Sequence, residues 1–147
     1  MTNEKIKVVL LEPGKVARTE EINASLKSMQ KIVGGLIECG YYFQEDVCCV
    51  VNEEGKIRGL DLNRGVYDED GRLVDIIAGT AFICDCSGED FGSLSDEQAK
   101  RYSEQFLLPE KFFKIGSQIR VVPFDPDAYS SLILEDLIQN AIIKEMS

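Results

Sequence analysis

Between Asn52 and Phe82 the chain reads NEEGKIRGLDLNRGVYDEDGRLVDIIAGTAF, with short apolar runs set between polar, basic and turn-forming residues. Runs this short cannot give a long helix its apolar face. They suit strands joined by tight turns, with a site presented on the loops. Turns are expected at Asn52–Lys56, around Gly55, and at Asp68–Gly71. Val74–Ile77 and Thr80–Cys84 carry strand-forming residues on either side of Ala78-Gly79, where the glycine marks a bulge or a close backbone approach.

The rest of the chain alternates strand and helix signals. Ile6–Leu11 reads as a strand stopped by Pro13-Gly14. Ile22, Leu26, Met29 and Val33 fall at helical spacing, and Gly34-Gly35 ends that helix, since glycine accepts a left-handed backbone. A Walker loop would place its glycines before a helix, so this pair is no phosphate loop. Leu36–Phe43 and Val47–Val51 read as strands around a turn at Gln44-Glu45-Asp46. Ser95 and Gln98 form a capping box that starts a second helix, ended before Pro109. Ile119–Pro123 reads as a last strand. Asp125 and Pro126 then open a C-terminal helix over residues 126–146, whose broad apolar face includes Leu132, Leu137 and Ile142.

Hairpin-like strands and separated helices favour an α+β class: one domain over residues 1–147, with a small mixed or antiparallel sheet, two packed helices and the extra C-terminal helix. The length suits a single core. No run of about twenty apolar residues is present, so no membrane span is expected. The apolar run near the start is too short for a signal peptide, and the expected location is the cytoplasm of a bacterial host.

Charge and composition narrow the function. The net charge is −10, so non-specific binding to nucleic acid is not expected. The acids are scattered, and their longest run is Asp68-Glu69-Asp70. The chain has no histidine, which removes Ser-His-Asp and Cys-His catalysis within it and leaves only Cys, Asp or Glu as metal ligands. Five cysteines, Cys39, Cys48, Cys49, Cys84 and Cys86, lie in or beside apolar segments without C-x-x-C spacing. They read as buried, reduced hydrophobes. A thiolate site joining Cys84 and Cys86 to Cys39 or Cys48 is the alternative. No metal ligand, cofactor or catalytic residue is assigned.

Candidate ligand-binding residues are Asn52, Lys56, Asn63, Arg64 and Thr80. Asn63-Arg64 leads them, because arginine offers a planar fork of donors to phosphate or carboxylate and asparagine can read a base edge or a hydroxyl. Arg58 and Arg72 would extend a basic island. Each candidate has a plainer role: solvated turn, surface ion pair or ordinary strand residue. Tyr41 and Phe43 on one side of a strand, or Tyr42 on the other, would supply a stacking face.

The segments KIKVVLLEPGK, SMQKIVGGLIE, NEEGKIRGLDLNR and DIIAGTAFIC, followed by SLSDEQAKRY and Phe106–Phe112, resemble the domain-of-unknown-function 3846 family of small phage- and plasmid-encoded proteins, over residues 5–113. The resemblance implies a mobile-element accessory protein and carries no reaction, cofactor or catalytic residue. It suggests a non-catalytic binding protein that counteracts host defence, either by sequestering a small anionic ligand such as a nucleotide or by occupying a host protein. An acidic protein–protein inhibitor or nucleic-acid mimic is the alternative. A small hydrolase using Glu53, Glu54, Asp61 or a cysteine is a further one, and a homo-oligomer built through the C-terminal helix is a structural one.

Overall fold

Both alternations of Val8–Leu11 are apolar, and in the computed structural model, which describes residues 4–127 and Gln139, both sides of that stretch are buried. Strand β1 (Lys5–Leu11) pairs with β2 (Arg18–Asn23) across the Pro13-Gly14 turn. Helix α1 (Leu26–Val33) leads to β3 (Ile37–Gly40) and β4 (Val47–Asn52). Then come β5 (Leu62–Tyr67), β6 (Leu73–Ala78) and β7 (Ala81–Asp85). Helix α2 (Asp96–Gln105) and the hairpin β8 (Glu110–Ile115) and β9 (Gln118–Pro123) complete the described chain.

A five-stranded antiparallel sheet runs β2-β1-β7-β4-β3, with β5–β6 and β8–β9 as separate two-stranded ladders. One face of the large sheet buries Val8, Leu10, Val50 and Phe82 with Met29 and Val33 of α1. The other buries Val9, Leu11, Val47 and Ile83 with Tyr102 and Phe106 from α2 and its end, and with Val66 and Ile77 of the β5–β6 hairpin. Coverage on both faces explains why β1, β4 and β7 read as continuous apolar runs rather than alternating ones. Each fully buried Val, Leu, Ile or Phe contributes about 1.5–3 kcal/mol. Among the described residues the class is therefore α+β, with antiparallel sheets and two helices.

Local signals place both helix ends. Ser25 caps α1 by accepting from the Ser28 amide, and Gly34 closes it at φ 80° with its amide bonded to the Gln30 carbonyl at 2.8 Å. Ser95 and Gln98 make the reciprocal capping box of α2 at 3.0 and 3.1 Å. The Asp68–Gly71 turn closes the β5–β6 hairpin. Gly79 adopts φ 82° where the chain crosses from β6 to β7, with Leu60 packed against it so closely that an added Cβ would lie 2.8 Å from Leu60 Cδ1.

Several expectations need correction. Ile22 belongs to β2, not to a helix, because Arg18–Asn23 finds a ladder partner in β1 and Ser25 delays the helix start. Ile22 still reaches the same core as Met29 and Val33, whereas Leu26 is exposed. The strand expected over 36–43 ends at Gly40, so Tyr41–Phe43 leave the sheet and do not alternate. Strands β2, β5 and β8 were not expected from the sequence; β2 carries a single large apolar residue, Ile22. The expected C-terminal helix, and any oligomer built through it, lie outside the described residues.

Candidate functional site

The Asn63-Arg64 pair owes its position to a bulge. The β5–β6 register passes from Leu62 opposite Ala78 to Arg64 opposite Ile77, leaving Asn63 as the extra residue. A bulge re-aims side chains, and here both neighbours turn inward. Asn63 is 0 % and Arg64 1 % exposed. Asn63 Nδ2 donates to the carbonyls of Leu11 and Gly79 at 2.9 and 2.8 Å, and its Oδ1 accepts from Arg64 at 2.8 Å. The guanidinium donates to the carbonyls of Phe106 at 3.0 Å, Lys15 at 2.7 Å and Glu12 at 3.3 Å. Two adjacent residues thus tie the hairpin to β1, to the turn after it and to the end of α2. Burial pulls the Arg64 pKa down to about 10, against the partly compensating charge of Glu110, so it stays cationic at neutral pH. Glu110 is itself pushed up by burial while its carboxylate accepts from the Gly65 amide at 2.8 Å.

The other expected ligand residues are also engaged or dispersed. Asn52 is 5 % exposed. Its Nδ2 donates to the Val33 carbonyl at 3.1 Å and its Oδ1 accepts from the Glu54 amide at 2.8 Å. With Arg58, which donates to the Gly34 carbonyl at 3.3 Å, it satisfies the end of α1. Lys56 is paired with Asp75. Thr80 is half-buried between β6 and β7. Arg72 pairs with Asp70 and Asp68 in its own turn. Asn52 and Lys56 share a cavity of about 230 Å³ beside Tyr42 and Asp75, while Arg64 lines a different one. The five residues do not converge on one basic island. Glu53, Glu54 and Asp61 are exposed.

A cleft of about 730 Å³ lies between the β3–β4 connection, the β5–β6 turn and α2. Aromatic rings form its floor. Phe43 packs on Tyr102 at 4.8 Å between ring centres and meets Tyr42 and Phe106 edge-on at 6.3 and 6.2 Å. Tyr67 also lines it, and Glu45, Asp68, Glu69 and Asp70 supply negative charge. Arg101 is the lining cation. It lies 5.0 Å over the Tyr102 ring and donates to Glu45 at 2.9 Å and twice to Glu97, each at 2.9 Å. Hydrogen bonds from Tyr102 and then Arg101 hold the Glu45 carboxyl below its usual range. Burial, with the bond to Glu45, pushes the Tyr102 phenol up to about 12.

Asp75 anchors the neighbouring wall. It accepts from the Tyr42 hydroxyl at 2.5 Å, from Lys56 and from the Ile76 amide. Burial alone would raise its pKa, but those donors outweigh it and the net shift is downward.

The sequence reading missed Glu45, Tyr67, Arg101 and Tyr102 as a group. The available signals were Glu97 and Arg101 four apart on a helix, and Ala99 and Tyr102 three apart on its apolar side. Among the described residues, no three His, Cys, Asp or Glu side chains are arranged around a metal position, and no helix is long and apolar enough to cross a membrane.

No curated protein and no solved structure matches the chain. The model of one family, the domain of unknown function DUF3846, matches residues 6–107, from β1 to the segment just past α2, and leaves the β8–β9 hairpin outside. That match covers more than half of the 147 residues, and the chain belongs to the DUF3846 family.

Proposed function

We propose that this protein is a non-catalytic accessory binding protein of a mobile element, which occupies a host protein through the aromatic-floored acidic cleft. The cleft carries the reading. Four aromatic side chains and four carboxylates line it; Arg101 is tied to Glu45 and Glu97 and Arg72 to Asp68 and Asp70, so five carboxylates face two arginines and the rim stays net negative. Such a rim attracts a cationic segment, and the ring faces offer it cation–π contact. The mobile-element setting and the action against host defence rest on the family resemblance. A small anionic ligand is the weaker reading, because Asn63 and Arg64 point into the protein and Lys56 is neutralised by Asp75.

The test is titration with arginine-bearing peptides and, separately, with a nucleotide panel, in rising salt. The expected result is peptide binding that weakens with salt and is lost in the double variant Glu69→Lys, Asp70→Lys. Nucleotide binding that survives this double change and is lost in Lys56→Ala would overturn the proposal in favour of the anionic ligand.

A further inference from the structure

Beside the acidic cleft, a second groove of about 400 Å³ follows the end of α2. Tyr67 and Gln105 line both, so the two adjoin at these side chains. The groove has a different character. Phe106 is buried in its wall, and Leu107 and Leu108 stand 44 % and 36 % exposed along it. Its charged lining residues are Arg64, Glu104 and Glu110, which leave one negative charge in excess. Arg64 is 1 % exposed, with its fork taken up by main-chain carbonyls and Asn63, so it is no anchor for an anion.

Glu110 is the group left over. It is half-buried at the start of β8. One carboxylate oxygen accepts from the Gly65 amide at 2.8 Å. The other takes no hydrogen bond among the described residues, and it is not sealed from solvent. Burial pushes the Glu110 pKa up, and the Gly65 amide and the Arg64 charge offset that only in part. A carboxylate half-removed from water is stabilised by a cation that brings its own donors. An aliphatic stem ending in a cation suits both parts of the groove. Its methylenes cover Leu107 and Leu108 while its head reaches the open oxygen. A phosphate meets excess negative charge there, and a purely apolar side chain leaves the oxygen without a partner.

We propose that this groove takes a second basic side chain of the partner that occupies the acidic cleft, so that two basic residues, one on each side of Tyr67, identify that partner. The inference rests on the cleft being the docking site of a cationic segment. It adds that the spacing of the basic residues, and not net charge alone, selects the segment.

The test uses the full chain and synthetic peptides, one carrying a single arginine and the others adding a lysine two, three or four residues away. The added lysine should strengthen binding about fivefold or more at one spacing. Norleucine in its place, which keeps the stem without the charge, should remove most of that gain. Glu110→Gln retains an acceptor for the Gly65 amide and should cancel the gain, with the far-ultraviolet circular dichroism unchanged. A gain equal at every spacing, or one that Glu110→Gln leaves intact, would reduce the effect to long-range charge and overturn the proposal. Binding of the single-arginine peptide with no gain from any lysine would remove the groove and leave the cleft standing. Failure of every peptide to bind would remove the cleft reading and this inference with it.

Discussion

Arg64 and Arg101 carry the same guanidinium, yet the molecule uses them in opposite ways. Arg64 lies in the interior, where backbone carbonyls and the Asn63 side chain take its donors. Arg101 lies on the outer side of α2, where two carboxylates hold it over a tyrosine ring. The first joins three parts of the fold, and the second shapes a surface. An arginine becomes structural when its fork meets main-chain acceptors that water cannot reach. It remains a recognition element when its partners are side chains that water and salt can replace.

The sharpest way to break this comparison is Arg64→Ala. Removing the fork leaves the carbonyls of Phe106 and Lys15 unsatisfied in or near the core, and the variant should lose about 3–4 kcal/mol in urea unfolding. A loss below about 1 kcal/mol, the scale of one ordinary hydrogen bond, would mean that those carbonyls find other donors. Asn63→Ala comes next, at about 2–3 kcal/mol, because it strips donors from Leu11 and Gly79 and an acceptor from Arg64.

Acid titration separates two carboxylates that flank these regions. The Asp75 pKa is lowered in the fold, so its contribution is fully present above the ordinary aspartate range and is lost as pH falls through the depressed value. Lys56→Met should therefore shift the acid-unfolding midpoint to higher pH. Glu110 runs the other way: its raised pKa favours the protonated fold below the ordinary glutamate value, an advantage lost as pH rises through the folded pKa. Glu110→Gln keeps an acceptor for the Gly65 amide and should be more stable than wild type at neutral pH, with the gap closing in acid. A gap that widens in acid would contradict the assigned direction.

The smallest effect on stability is expected at Arg101. Arg101→Ala should leave the thermal midpoint near that of wild type, since exposed ion pairs contribute little. It also removes the cleft's lining cation, so binding of a cationic peptide should strengthen. Unfolding of this variant would make the outer arginine structural too and erase the contrast.

The legible parts of the sequence were those governed by near neighbours. The Ser95–Gln98 capping box, the Gly34 stop and the Asp68–Gly71 turn are settled within four residues of chain, and each appears where the sequence placed it. The apolar runs of β1, β4 and β7 were equally plain, because burial on both faces demands them. Strand β5 was not, because its inward positions include Asn63 and Arg64, whose acceptors come from residues as distant as Leu11 and Phe106. The same distance hid the cleft, which joins Glu45 to Arg101 across 56 positions, and the sulfur pair, which joins Cys48 to Cys84 across 36. Sequence alone therefore determined the class, most strands, the end of α1 and the start of α2, since hydrogen bonds local to the chain and side-chain transfer from water decide them. Only the tertiary structure decided which polar residues face inward, since that depends on which carbonyl, carboxylate or thiol a distant segment brings alongside.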